Sequence, residues 1–539
     1  SMADMMGTAL SALTTYQRAL STTSHNIANA NTEGYSRQRV DMSTRVVNQA
    51  GTGALGSGVQ VASLRRVFDS FVVDQVRTNT AGLAKEETFA GLATRVESVV
   101  SDPTTGINAA MSRFFNAVQD VATDPASLAA RRVLLGEGDA ITARIRDIDS
   151  QLERVDLEVN QRLRSSVDEI NGFAQRISEL NKAISEATGS NPNMPPNDLL
   201  DARDQALIGL NKLVKVSTVA QSDGALNVFI GNGQSLVLSN IPQMLSVSAN
   251  RFDPSRPDVT LPSGGVITDA LEGGSLGGLI AFREQVLAPT RSQVGLLALS
   301  LASQINTIQQ GGRDLSGAMG QAFFNVPPVL VQTSGLNAGS ATVSASIVQV
   351  SQLTGDNYSV VADGAGGYSV FTQPGNDQVT AASIGLSITL SGAAAAGDTF
   401  LIKPTGAVAA GLRLNLTASS QVAAASASGT FGVGDNRNAL LMAAAENERG
   451  LFGGTTSLAE GMQNLISEVA STVRSSEVSV ASQSLLLEQS VSRRDSISGV
   501  NLDEEAANLM RFQQAYQAAA QVASVANSVF QTMIDTFRR

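Results

Sequence analysis

Between Leu509 and Phe537 apolar residues recur in unbroken three-four alternation, through Leu509, Phe512, Tyr516, Ala519, Ala523, Ala526, Phe530, Met533 and Phe537. That spacing lines one face of an α-helix and makes a heptad seam. A second row, Ala515, Ala518, Val522, Val525 and Val529, keeps the same rhythm one position earlier. The helix therefore has two faces to bury, and a single partner helix covers only one of them. From Gln513 to Ile534 no side chain is charged, yet Gln, Asn and Ser interrupt the run at every turn, too densely for a bilayer span. Such a helix suits a large assembly in which neighbouring copies cover what its own chain leaves bare.

The other end of the chain has a matching element. Met6, Leu10, Leu13, Leu20 and Ile27 follow a heptad series with gaps at Gln17 and Ser24, and Ala9, Ala12, Tyr16 and Ala19 widen the stripe. Only Asp4 and Arg18 are charged before Glu33. Two uncharged amphipathic helices at opposite ends most simply pair with each other, which makes everything between them an excursion and the fold nested. With neighbours missing, residues near 1–35 and 505–539 are expected to be loose in the isolated chain.

Composition narrows the function. A net charge of −11 supplies no basic face for nucleic acid. With no Cys, disulfides, thiolate nucleophiles and thiolate metal sites are all excluded. His25 is the single imidazole, which thins the means of acid-base catalysis. No catalytic, metal or cofactor site is expected, and no membrane span. The N-terminus lacks the basic patch, apolar core and small-residue cleavage site of a secretory signal, so export would take another route.

The chain of 539 residues has room for several domains. From about Phe71 to Glu186 it reads as long helices. One seam runs through Ile141, Ile145, Ile148, Leu152, Val155, Val159, Leu163, Val167 and Ile170, with Asp147, Asp149, Glu153, Arg154, Asp156 and Glu158 expected to face outward. Pro192, Pro195 and Pro196 close this stretch, and Asn197 or Asp198 starts the next helix. Asp198, Asp201 and Asp204, at helix spacing with Arg203 among them, read as a solvated helix start rather than a ligand set. Val214 to Leu238 alternates around Ser222-Asp223-Gly224 and Gly231-Asn232-Gly233, two hairpin signals that predict a small β-meander. Leu276 to Ile305 returns to helix, with Leu279, Phe282, Val286, Leu297, Leu301 and Ile305 as core. From Val326 to about Ala427, Ser, Thr, Gly and Val dominate in short alternating runs, which predicts one inserted all-β domain. Helix resumes near Asn438 and carries Leu458, Met462, Leu465, Val469 and Val473 back along the rod.

The fold class is thus mainly α with inserted β, an elongated nested rod in three parts. Residues 1–40 and 500–539 form a terminal helical domain, 41–325 and 431–499 a helical rod with a meander near 214–270, and 326–430 an outer all-β insert.

After the first helix, short polar residues and Gly34 stop the helical backbone. This segment, Asn29, Asn31, Thr32, Gly34, Tyr35, Ser36, Arg37 and Gln38 within Asn26 to Gln38, resembles the Asn-rich segment of flagellar axial proteins of the rod, hook and hook-associated families. His25 stands where those relatives commonly have Asn, a harmless departure. The block from Ser498 to Leu509, followed by Phe512-Gln513-Gln514-Ala515-Tyr516, is similar to the C-terminal block of the same family. So are Asn197 to Gln205 and Gly434 to Leu440. The Tyr35-Ser36-Arg37-Gln38 ending looks most like the hook-associated proteins of the hook-filament junction.

That resemblance implies a structural role between hook and filament. It implies self-assembly of about eleven copies into a helical ring, with the hook protein and the next hook-associated junction protein as neighbours. It also implies export through the flagellar type III export apparatus and a cytoplasmic export chaperone that holds the C-terminal helix until then. The site would be extracellular, in the bacterial flagellum. Leu10, Leu13, Leu20, Ile27, Leu509, Phe512, Tyr516, Phe530, Met533 and Phe537 are the expected assembly interface. Another axial tube protein, or a coiled-coil adaptor dimer, is the alternative; an enzyme would need a pocket, and the acids here sit on helix faces.

Overall fold

The computed structural model describes residues 2–45 and 56–538, so residues 46–55 of the expected rod segment lie outside the described residues. The chain leaves helix α1 (Met2–Ala28) through a polar loop and forms an antiparallel hairpin, β1 (Gln38–Thr44) with β2 (Val59–Arg66). Four helices follow: α2 (Ser70–Val100), α3 (Ile107–Thr123), α4 (Leu128–Ser190) and α5 (Asn197–Leu213). With 63 residues, α4 is about 95 Å long at ~1.5 Å per residue, and this one element makes the molecule elongated. Ser127 caps its start, its hydroxyl accepting from the Ala130 amide at 3.2 Å. The seam from Ile141 to Ile170 is buried at every position.

Two of the acids expected to face outward on α4 do not. Asp149 is buried against Arg291 at 3.2 Å, and Asp156 accepts from Arg283 Nε at 2.9 Å. The stripe is wider than the apolar seam, because arginines from later elements supply partners for carboxylates at its edge.

The meander after α5 is β3 (Val216–Ala220), β4 (Leu226–Ile230), β5 (Gln234–Leu238) and β6 (Ile241–Pro242), in sequential order. Gly231 and Gly233 hold φ values of +56° and +99° in the β4–β5 link, which is turn chemistry. A second hairpin, β7 (Ser246–Ala249) with β8 (Pro257–Thr260), precedes α6 (Gly274–Phe282). A single π turn at Arg283–Leu287 joins α6 to α7 (Ala288–Gln310). The expected core residues from Leu279 to Ile305 are buried.

Short strands β9 (Gly312–Arg313) and β10 (Phe324–Asn325) lead into the insert. Its strands are β11 (Leu330–Thr333), β12 (Thr342–Ile347), β13 (Asn357–Ala362), β14 (Tyr368–Gln373), β15 (Gln378–Val379), β16 (Leu386–Ser391) and β17 (Thr399–Lys403). Five make one antiparallel sheet in the order β11-β17-β13-β14-β15, and β12 pairs with β16. The return path is a one-turn helix α8 (Val408–Gly411), then β18 (Arg413–Leu414) on β10 and β19 (Ala425–Ser426) on β9.

The strand-rich excursion closes sooner than composition suggested. From Thr405, whose hydroxyl donates to Ser292 O at 3.2 Å, the backbone lies on the rod. Arg146 donates to Leu412 O at 2.8 Å, Arg131 to Val422 O at 2.5 Å and Gln309 to Gln421 O at 2.7 Å. Tyr358, Val360, Phe400 and Ile402 of the insert share one continuous apolar cluster with the rod. The composition of 412–430, rich in Ala and Ser, carries no signal of that return.

Helix α9 (Arg437–Ala444) and a small hairpin, β20 (Arg449–Leu451) with β21 (Thr456–Ser457), precede α10 (Leu458–Ser498) and α11 (Leu502–Phe537). Ser457 and Glu460 close a capping box at the start of α10. α10 runs antiparallel to α2, with Asn79 donating to Leu486 O and Ser490 Oγ, each at 3.2 Å.

Polar residues along α4 fix the order of the layers. Near its start Arg131 and Arg146 hold the returning insert. Farther on, Asn171 exchanges two hydrogen bonds with Leu245, and Asn181 serves Leu226 and Ser239 of the meander. α5, which folds back along the last turns of α4 with Arg203 donating to Asn181 at 2.9 Å, carries the terminal helices. The ends of the chain thus sit by the last turns of α4, and the insert meets the rod farther back along it, where Arg291 bonds Asp149 and the neighbouring Ser292 O accepts from Thr405.

Candidate assembly interface

α1 and α11 pack antiparallel. The Tyr16 and Phe512 rings lie 6.5 Å apart, and Asn26 meets Glu505 at 3.0 Å. Among the described residues the buried apolar positions along the packed face are alanines, Ala9 and Ala19 on α1 and Ala519 and Ala526 on α11. Small side chains let two backbones approach closely, so the larger residues of each seam are displaced to the flanks. Leu13, Leu20, Ile27, Leu509, Phe512 and Tyr516 are half-buried there, whereas Leu10 is exposed. On α1 the buried polar face of Thr15, Thr22, Thr23 and Asn26 is a feature that the heptad count, weighted to leucine, missed.

The register explains the rest. With Tyr16 opposite Phe512 and Asn26 opposite Glu505, Ala526 falls against the first turn of α1. The following stretch of α11 runs past it for about 16 Å at ~1.5 Å per residue. Phe530 is 52% and Phe537 84% exposed, with Met533 and Ile534 beside them. The second row is exposed as well, Val522 and Val525 along the paired part and Val529 beyond it. A continuous apolar surface of this kind, on a helix with no charge between Gln513 and Ile534, marks a site of protein association.

The polar loop after α1 is a clamp. Asn26 is fully enclosed: its Nδ2 donates to Gln38 O at 2.9 Å and to Glu505 Oε2 at 3.0 Å, while its Oδ1 accepts from Tyr35 Oη at 2.7 Å and from Gln38 N at 2.9 Å. Every hydrogen-bonding position of the amide is thereby used. Burial pushes the Tyr35 hydroxyl well above its ordinary range, and the carboxylates of Asp198, Asp201 and Glu505 reinforce this, so Tyr35 stays a donor. His25 packs edge-on to Tyr35 at 5.4 Å between ring centres. Arg37 donates to Glu504 at 3.0 Å, and its backbone N–H to Ser498 O at 2.8 Å, which ties the motif to the α10–α11 corner. Asn501 caps α11, accepting from the Asp503 and Glu504 amides.

The acids of α5 complete the clamp: Asp201 and Asp204 are enclosed, which corrects their reading as part of a solvated helix start, while Asp198 stays exposed in the first turn as that reading had it. Asp201 is buried and accepts from Ser36 N at 2.9 Å and from Arg66 at 2.8 Å; Arg66 also bonds Asp204; Asp198 accepts from Gln38 Nε2 at 3.0 Å. Burial raises the Asp201 carboxyl, opposed by these hydrogen bonds. Gly34, at φ +77°, sits under the Gln205 side chain so closely that any Cβ would collide. Asn29 folds back on His25 O at 3.0 Å and accepts from Thr32 at 3.1 Å, while Asn31 faces solvent. Asn26, Arg66, Asp198, Asp201, Asp204 and Glu505 are thus the site residues that sequence reasoning missed. An Asn in the last turn of a helix, on the same face as Thr15, Thr22 and Thr23, was the available signal.

Among the described residues there is no cluster of His, Cys, Asp or Glu suited to a metal ion, and no helix is long and apolar enough to cross a membrane. The arrangement offers cohesion between the chain ends and an exposed apolar surface for recognition.

Comparison with known proteins agrees. The family model described as the flagellar hook-associated protein FlgK helical domain matches residues 93–324. A flagella basal body rod protein model matches 6–35, and one for the flagellar basal body rod FlgEFG protein C-terminal matches 492–536. Flagellar hook-associated protein 1 of Escherichia coli (strain K12) is 32% identical over 99% of this chain and 100% of its own length. The protein of that name in Bacillus subtilis (strain 168) is 25% identical over 98% and 97%. The solved structure of the flagellar hook junction protein FlgK from Burkholderia pseudomallei superposes with a TM-score of 0.72 at 25% identity, covering 79% of this chain and all of that one. The chain belongs to the flagellar hook-associated protein 1 family.

Proposed function

We propose that the chain is a structural element of the bacterial flagellum, placed between hook and filament, where copies of it associate through their terminal helices. The observation that carries this is the bare apolar surface of α11, the row Val522-Val525-Val529 and the overhang from Phe530 to Phe537, on an element otherwise clamped to the rod. Its burial between copies contributes ~25 cal/mol per Å² before entropic costs. Leu10 on α1 belongs to the same surface, and the half-buried flanking residues set its edges.

In this reading the clamp around Asn26 makes the α1–α11 pair a rigid plug on the spine, and α4 carries the insert outward. Residues 1–44 and 500–539 then form the inner part and residues 330–406 the outer part. The ring of about eleven copies follows from heterologous contacts that close. The hook protein and the next junction protein contact its two faces. Before assembly the overhang is the segment that a cytoplasmic chaperone holds, ahead of passage through the type III export apparatus to the extracellular flagellum.

The test is a strain lacking this protein, inspected by electron microscopy with the culture medium assayed for filament subunits. Completed hooks without filaments, and filament subunits lost to the medium, are the expected result. Normal filaments on such cells would overturn the proposal.

A further inference from the structure

Away from the terminal helices, the rod exposes apolar side chains on two faces. The first is the outer side of the meander. Its inner side puts Val228, Ile230, Leu236 and Val237 into the core. Strand alternation turns Val219, Asn227, Leu238 and Ile241 outward in one row across the sheet. Val219 pairs with Asn227, Leu238 pairs with Ile241, and the pairing of Val228 with Val237 sets Asn227 beside Leu238. Val219, Leu238 and Ile241 are exposed, and the half-buried Phe229 lies next to the row. From Val216 to Asn250 the single charged residue is Asp223, in the link from β3 to β4, although charged residues make up 16% of the chain.

The second face is a ridge on α10. Gln483 and Ser490 turn toward α2, where Gln483 lies against Gly82 and Asn79 donates to Ser490 Oγ at 3.2 Å. About half a turn round the helix, Val478, Ala481, Ser482, Leu485 and Gln489 line the opposite side, all exposed and none charged. Val478 and Leu485 stand one heptad apart, and Leu486 widens the ridge at its edge. The two faces look out from opposite sides of the rod. α10 packs on α2, α2 on α5 and α6, and both of these on α4, which carries the meander through Asn171 and Asn181.

We propose that these faces are the two halves of one contact, in which the α10 ridge of one copy lies on the meander face of the next. A charged partner would have to bury its charge unpaired on either face. Each face instead offers the other an uncharged apolar surface, a helix ridge for the open side of a sheet. A contact of one face with itself would leave the other bare, whereas faces on opposite sides of a rod join copies head to tail, the arrangement that closes into rings or runs on as a helix. The contact deepens the reading that copies associate, adding an interface on the rod to the one at the terminal helices. It is small and takes its strength from repetition around the assembly.

The chain has no Cys, so Ser217→Cys on the meander face and Ser482→Cys on the ridge, both exposed, give two full-length proteins with one thiol each. Mixed in equal amounts and oxidised, thiols that meet at random form mixed disulfides as half of all dimers. The proposal predicts mixed dimers in several-fold excess over same-site dimers. Adding Ile241→Glu to the first protein, or Val478→Glu to the second, should return the mixed share to one half; both positions are exposed, so each variant should fold. A mixed share of one half or less without those changes overturns the contact, and so does an excess that survives both of them. A random share would leave the terminal-helix reading standing, and normal filaments on cells lacking the protein would leave a mixed excess standing, so the two readings fail separately.

Discussion

The side chains of Asn26 and Glu505 meet at 3.0 Å across 479 positions of chain, both buried. This contact joins the last turns of α1 to the first turn of α11, and the same amide holds Gln38 and Tyr35. The two ends of the protein are therefore joined by a polar lock, with apolar surface left over beyond it.

Asn26→Ala should open that lock. It leaves Glu505 and the Gln38 backbone without partners, at about 1–3 kcal/mol per orphaned group. Amide exchange at Gln38 and through α11 should speed up markedly, while exchange in the Ile141 to Ile170 seam stays slow. Equal acceleration in both regions would mean that ends and spine unfold as one unit.

Much of this was legible in the sequence, and the exceptions have a common cause. The α4 seam, the two hairpin turns and the double row on α11 follow from periodicities of 3.6 and 2, which are local. Asp198, Asp201 and Asp204 looked like acids at an ordinary helix start because their partners Ser36, Gln38 and Arg66 lie more than a hundred positions away. Asp149 and Asp156 were placed outside for the same reason, since Arg291 and Arg283 arrive from another part of the chain. On α1 the leucines drew the eye, but close backbone approach favours Ala9 and Ala19, and a heptad count does not weigh size against distance.

Ala519→Leu tests that close approach. A buried alanine between two backbones has no room for an isobutyl group, and overpacking should cost about 1–3 kcal/mol. Limited proteolysis should then release α11 faster than in the parent. In the parent the first cuts should fall beyond Ala526, where α1 no longer covers the helix. Unchanged resistance in the variant would show that the pair has slack.

The insert should be removable if its boundaries are drawn by contact. Asn325 lies directly across from Arg413, so replacing residues 326–411 with Asn-Gly leaves a three-residue connection between paired strands. That protein should keep the helices of the rod and melt cooperatively, at a lower temperature than the parent because the deletion uncovers the part of the shared apolar cluster that the insert and α8 bury. Extending the deletion to 430 also removes Val422 O, the partner of the buried Arg131, and should abolish cooperative melting. Equal melting of both deletions would show that 412–430 is dispensable.

Acid should destabilise the protein. Backbone N–H groups of Thr105 and Thr104 hold the Asp102 carboxyl well below its ordinary value, the Arg437 guanidinium does so for Asp435, and the Ala395 N–H for Asp398. Each binds its proton more weakly when folded than when unfolded. The stability they add is present above the ordinary value of 3.8 and lost as pH falls through the folded values. Asp201, raised by burial, acts in the opposite sense. Melting temperature should begin to drop as pH falls below about 4 and go on dropping toward the folded values, and drop less in Asp435→Asn. A rise on acidification would show that the buried acids dominate.

The central claim is that the bare end of α11 serves association between copies and not the fold of one copy. Changing Phe530 and Phe537 together to Ser, then measuring monomer melting temperature and filament formation in cells, tests it most directly. Exposed side chains contribute within about 0.5 kcal/mol, so melting should move by no more than about 2 °C while filaments fail to form on completed hooks. A large drop in melting temperature together with normal filaments would contradict the claim.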